Sequence, residues 1–205
     1  MTEPQNTVID NHIAKSVTGY MVNAIFDNDA KGQIEVIQNK LADEFGSSIW
    51  LAPIDSLHIT LLDWIAPLVD YGEDKSQLFQ THFTEYDSAL QTALHEIRPL
   101  PLLFDTIKAT PGAIIITASD ETKFNEIRQD FLDRATLLDG TKQPPTIVHS
   151  TIARYKKEIP LEPIVRFIES LNVEFSYEVD RFRLVRENIA PQLQHELLKE
   201  YFLKG

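Results

Sequence analysis

The sequence predicts a mixed α and β fold of two pseudo-equivalent units, and three observations predict it. Hydrophobic residues make up 43% and charged residues 24% of the 205 positions, enough to bury a sizeable core in one compact unit or two closely packed lobes. Apolar residues recur with period two in some segments and near 3.6 in others, as in strands and helices respectively. The chain also matches itself at an offset of 91 residues. That shift lays His58 on His149, Thr60 on Thr151, Leu61 on Ile152 and Pro53 on Pro144. Upstream, without a gap, Asp29 falls on Asp120, Glu35 on Glu126, Val36 on Ile127, Gln38 on Gln129 and Leu41 on Leu132. Each copy reads strand, helix, loop, strand. The repeat units therefore span about 19–64 and 110–155, with approximate two-fold symmetry expected between them.

Each element has its own signal. Residues 1–18 read as a polar leader, and 19–205 as one domain. "GYMVNAIFD" (19–27) is an apolar, strand-prone run. Asp29 is the expected cap of a helix carrying Ile34, Ile37, Leu41 and Phe45 at helical spacing, with Gly46 as its stop. "SIWLAP" and "SLHITLLDWI" read as strands, and Asp74 to Arg98 as a long helix. Pro111-Gly112 turns a hairpin between "PLPLLFDTIKAT" and "GAIIITAS". A helix over 120–138 and the strand "TIVHSTIARY" (146–155) follow, then a short helix with Pro163 in its first turn. "VEFSYEVDRFRLVREN" alternates as strands do, while "HELLKEYFLK" fits either a helix or a closing strand.

The repeated pattern His-x-Thr carries chemistry. On a strand, residues two apart point to one face, roughly 6.5–7 Å apart at the backbone. His58 and Thr60 therefore share a face, as do His149 and Thr151, and packing around a pseudo-dyad brings both faces to one cleft. There one neutral imidazole can take a proton from an attacking hydroxyl or water while one protonated imidazole gives a proton to the departing oxygen. The threonine hydroxyls can hold the non-bridging oxygens of a phosphate between the rings. This chemistry requires no metal and no other cofactor.

"HITLL" (58–62) and "HSTIAR" (149–154) resemble the paired motifs of the 2H phosphoesterase superfamily, which includes 2′-5′ RNA ligase-like proteins and 2′,3′-cyclic phosphodiesterases. The resemblance covers both motifs, their order, spacing and strand-helix-strand context, about residues 19–187. It implies an α+β, bilobal fold with antiparallel sheets, flanking helices and a central cleft. It also implies catalysis by His58 and His149, with phosphate held by Thr60 and Thr151. Arg154 matches an arginine common after the second motif, although parity takes it off the catalytic face unless the strand bulges. Tyr155 has the parity to stack on a base or to fill the core, so Arg154 and Tyr155 are both candidate substrate contacts. Where relatives continue with apolar residues and a glycine, this chain has Asp63-Trp64, and parity puts Asp63 on the opposite face.

Composition narrows the partners. There are no cysteines, which removes disulfides, thiolate metal sites and cysteine nucleophiles. The net charge is −12, with 4 Lys/Arg against 15 Asp/Glu in residues 1–97 and 15 against 16 in 98–205. That balance argues against a long nucleic-acid duplex and for a small nucleotide or an RNA end, held by local cations in "ARYKK" (153–157) or at Arg181, Arg183 and Arg186. No phosphate-cradling glycine loop or serine-hydrolase elbow occurs, and "HELLK" (195–199) lacks the second histidine of a zinc helix. His12 and His82 read as surface or packing residues. A cytoplasmic monomer without a membrane span is expected. Hydrolysis of a 2′,3′-cyclic phosphate or 2′,5′ linkage is the leading reading, with a non-catalytic nucleotide or RNA-end binder and a ligase running in reverse as alternatives.

Overall fold

The strands of the computed structural model, which describes residues 5–204, form two antiparallel sheets. In chain order the elements are β1 (Ser16–Ile25), α1 (Asn28–Phe45), β2 (Ile49–Leu51), β3 (His58–Ile65), α2 (Lys75–Ala93), β4 (Leu100–Ala109), β5 (Ala113–Ala118), α3 (Thr122–Leu132), β6 (His149–Tyr155), α4 (Leu161–Glu169), β7 (Phe175–Val179), β8 (Arg181–Ile189) and β9 (Gln194–Phe202). The first sheet has the order β3-β1-β8-β9 and the second β2-β6-β5-β4-β7. The fold is thus α+β with antiparallel sheets, as the resemblance implies. No described helix is long and apolar enough to cross a membrane.

The helices pack crosswise. α1 follows β1 of the first sheet but packs against β2, β6 and β7 of the second. α3 follows β5 of the second sheet but packs against β3 of the first, beside α2. Trp64, fully buried, stacks between Phe79 of α2 and Phe131 of α3, with ring centroids 6.3 and 6.5 Å away. One apolar core therefore runs through both sheets.

Local chemistry sets the boundaries. Asp27, not Asp29, caps α1: its carboxylate accepts from the Ala30 N–H at 2.8 Å, and Asp29 sits in the first turn, where its charge suits the helix dipole. Gly46 closes α1 at φ 47°, a backbone that favours glycine. Asp74 caps α2, which stops at Ala93 rather than Arg98. α3 ends at Leu132, short of the expected 138. "HELLKEYF" is strand, pairing with β8. In the stretch expected as a leader, Thr7 donates to Ile159 O, Val8 to Pro111 O and Asp10 to Tyr155 O, so residues 7–10 lie along the second sheet.

The ungapped repeat drifts by one residue in each direction. His58 faces Ile25 across the first sheet and His149 faces Thr117 across the second, an offset of 92 for the partner strands. The buried helix positions are Ile34, Ile37, Gln38 and Leu41 against Phe124, Ile127, Arg128 and Phe131, an offset of 90. Gln38 thus corresponds in space to Arg128, not to Gln129. Both are buried, and both reach the motif strand of the other unit. Gln38 Nε2 donates to Ala52 O and Ile152 O, each at 2.8 Å. Arg128 donates through Nε to Leu61 O at 3.0 Å and through Nη2 to Thr60 O at 2.8 Å.

Three of those carbonyls, Thr60, Leu61 and Ile152, belong to two matched β-bulges. The β1–β3 register skips Leu61, and the β5–β6 register skips Ile152. A bulge leaves a residue out of the ladder, so its carbonyl needs a partner from elsewhere. We predict that Gln38→Ala, which leaves Ala52 O without its donor and Ile152 O with the Ala52 N–H alone, destabilises the protein by about 1–3 kcal/mol in urea unfolding. A loss near zero would show that these ties do not hold the motif strands.

Candidate functional site

The bulges decide which side chains reach the cleft. Along β3, His58, Thr60 and Asp63 are partly exposed while Ile59, Leu61, Leu62, Trp64 and Ile65 are buried. Along β6, His149, Thr151 and Arg154 repeat that pattern over buried Ser150, Ile152, Ala153 and Tyr155. In each strand two consecutive apolar residues face the core, so the parity of everything after them is reversed. Arg154 therefore stays on the face of His149 and Thr151. Asp63, expected on the opposite face, stands with His58 and Thr60, at the position that mirrors Arg154. Tyr155, a candidate substrate contact by parity, is instead buried in the core, and desolvation pushes its hydroxyl's pKa up. The same bulge that keeps Arg154 in the cleft turns Tyr155 away from it.

A cavity of about 220 Å³ lies against β3, lined by His58, Thr60, Asp63 and Arg154 and closed by Glu187, Gln192 and the segment around Asp10. His149 and Thr151 lie outside this lining, on β6, which packs directly against β3. The positive charges of Arg154 and a protonated His149 oppose protonation of His58, so the two rings share one electrostatic environment.

His58 Nδ1 lies 2.8 Å from Ser56 O. A carbonyl only accepts, so Nδ1 carries the proton in the neutral ring and Nε2 keeps its lone pair. Burial is the largest influence on this ring and lowers its pKa to about 4, leaving it neutral at pH 7. Burial lowers His149 as well, and the cations Arg128 and Arg154 act in the same direction.

Charge elsewhere in the cleft is mixed. Arg154 Nη1 donates to Asp10 Oδ2 at 2.7 Å. Burial opposes ionisation of Asp10, but the His12 N–H and Arg154 outweigh it and hold the carboxyl below its usual range. Burial raises Asp63 to about 6. Glu187, 2% exposed, is raised by burial, which the Gln192 N–H only partly offsets, and the Asp63 charge adds to the rise. Of the cations expected from sequence, Arg183 bonds His195 at 2.9 Å and Arg181 lies over the Phe202 ring at 5.5 Å. His82 is on α2 and away from the cavity, whereas His12 is at its mouth. No group of three or more His, Cys, Asp or Glu among the described residues is arranged to hold a metal ion.

Sequence reasoning missed Asp10, Asp63, Arg128 and Glu187 as parts of this region. Asp63 had a signal, since the offset of 91 lays it on Arg154. The other three are joined to the site only by the fold.

Neither a family model nor a curated protein matches this sequence. Solved structures do. TT0787 of Thermus thermophilus superposes with a TM-score of 0.68 at 16% identity, over 91% of this chain and 98% of its own. E. coli LigT complexed with 3′-AMP gives 0.57 at 16% identity, over 93% and 100%. A protein described as a phosphoesterase gives 0.60 at 17% identity, over 92% and 99%. The chain shares the fold of these three structures. The outward faces of β3 and β6 carry the two His-x-Thr pairs, with an acid, Asp63, where pseudo-symmetry would place a second arginine.

A carboxyl raised in the folded state binds protons the unfolded chain has released, so it lowers stability as pH rises from the ordinary value of 3.8 through about 6. Asp63→Asn removes that cost. Thermal unfolding is therefore expected to show the variant more stable than wild type at pH 7.5, by up to about 3 kcal/mol. The advantage shrinks toward pH 4. Equal stabilisation at both values would contradict the raised carboxyl.

Proposed function

We propose that the chain is a metal-independent 2H phosphoesterase that hydrolyses a 2′,3′-cyclic phosphate or a 2′,5′-phosphodiester of a nucleotide or RNA end. The observation that carries this reading is the matched presentation of the two motifs. His58 with Thr60, and His149 with Thr151, face outward from adjoining strands at the same position relative to a bulge. The likeness to LigT, solved with 3′-AMP, ATP and phosphate, supports a small nucleotide or phosphate as ligand.

In this mechanism His58 is the base. Its Nδ1–H is engaged by Ser56 O, so Nε2 is free to accept the proton of the attacking water. His149, protonated when the substrate's anionic phosphate enters, donates to the departing ribose oxygen. The P–O bond to that oxygen breaks as the bond from water forms, leaving a phosphomonoester and a free hydroxyl. Thr60 and Thr151 hydroxyls, with Arg154, hold the non-bridging oxygens. The reverse condensation uses the same two proton transfers, which keeps ligation open to the same site.

With EDTA present, 2′,3′-cyclic nucleotides and 2′,5′-linked dinucleotides should be converted, as followed by phosphorus NMR. His58→Ala and His149→Ala should each lose about 10²–10⁴-fold in kcat/KM. Full turnover in both variants, or an absolute need for added metal, would sink the two-histidine mechanism.

The pH profile is a separate check. A base at about 4 gives an acid limb there, where His58 gains a proton. An acid group lowered from 6.5 gives a basic limb below 6.5, where His149 loses one. The optimum of kcat/KM is expected between them, on the acid side of neutrality. A plateau extending above pH 8 would contradict the assignment.

A further inference from the structure

The 2H reading accounts for the histidines and threonines but leaves the carboxylates of the cavity without a task. Glu187 is 2% exposed, yet its Oε2 has no hydrogen-bond partner. Its other oxygen accepts from the Gln192 N–H. Asp63, on the same cavity wall, makes no side-chain hydrogen bond among the described residues, and Arg154 is engaged by Asp10 rather than by either of them. A buried carboxylate oxygen without a donor is costly unless a ligand brings one. The cavity therefore holds unused acceptors at the end away from His58.

Beside His12 and Gln192, the rest of the lining is apolar: Met21, Pro67, Leu68, Ala190 and Pro191. Apolar walls with convergent acceptors suit a flat heteroaromatic ring that offers N–H groups along one edge. A cavity of about 220 Å³ fits one such ring, and it is continuous with His58 and Thr60. The carboxylates repel a second phosphate there, so the group occupying this end is not an anion.

Resting on the phosphoesterase reading above, we propose that this cavity is the base subsite and that it selects guanine. Guanine alone among the four common bases presents two adjacent N–H donors, the ring N1–H and the exocyclic amine, along one edge. Adenine and cytosine set an acceptor nitrogen beside their amine, which opposes a carboxylate. Uracil flanks its single N–H with two carbonyls. Asp63 takes one donor, and Glu187 Oε2, closed off from solvent in the empty cavity, takes the other once its carboxylate turns toward the ring.

The test compares kcat/KM of the wild-type protein for the 2′,3′-cyclic phosphates of guanosine, adenosine, cytidine and uridine. It is run beside calorimetric binding of 3′-GMP and 3′-UMP. Guanine should be preferred by roughly ten- to a hundredfold in both measurements. Glu187→Gln should bring the guanine-to-uracil ratio close to one, because a carboxamide offers one acceptor where a carboxylate offers two. Asp63→Asn should narrow it. Equal binding of 3′-GMP and 3′-UMP by the wild-type protein, or a ratio unchanged in Glu187→Gln, overturns the subsite. Selective 3′-GMP binding without turnover of any cyclic nucleotide upholds the subsite and overturns the phosphodiesterase reading instead.

Discussion

The site depends on two β-bulges, at Leu61 and Ile152. Without them strict alternation would turn Asp63 and Arg154 into the core, and Leu62 and Ala153 into the cleft. The apolar pairs Leu61-Leu62 and Ile152-Ala153 resist that outcome, since all four are buried at 0% exposure. The hydrophobic gain of burying both members of each pair holds the kink, and the polar residue that follows is returned to solvent. Each bulge exposes carbonyls that the strand ladder no longer satisfies. Arg128 meets those of Thr60 and Leu61, and Gln38 meets that of Ile152. Because each donor comes from the helix of the other unit, the two motif strands are fixed relative to one another.

This arrangement also shapes the electrostatics. Arg128 is a buried guanidinium whose pKa burial lowers to about 10, and it adds a positive field at His149. The second unit supplies Arg154 to the cleft and the first supplies Asp63, so pseudo-symmetry in backbone carries opposite charges. An anionic phosphate is favoured toward Arg154 and disfavoured toward Asp63 and Glu187. On the proposed reading a ligand spanning the cleft is given a direction, with its phosphate at the histidines and its donor-bearing end among the carboxylates.

Much of this was legible in sequence. The His-x-Thr pairs were, because a period of two survives any packing that leaves the strand intact. The Asp63 and Arg154 positions were legible in principle: the doublets at 61–62 and 152–153 break alternation at equal distances after each histidine. Strict parity placed Asp63 wrongly because it ignored that break. The drift from 91 to 90 in the helices was hidden, since Arg128 is held in the core by carbonyls of β3 in the other unit, and no local pattern puts a charged residue on the apolar face. Tyr155 was ambiguous between base and core until the bulge fixed its side. Glu187 and Asp10 reach the cavity through long-range contacts that no local signal announces.

The central claim is that the two motif strands serve one ligand. Histidine-selective NMR during titration with 3′-GMP tests it most directly. With one shared site the His58 and His149 ring resonances shift together, with a single dissociation constant, while His82 stays still. Movement of only one of the two rings, or different dissociation constants for them, would contradict a shared site.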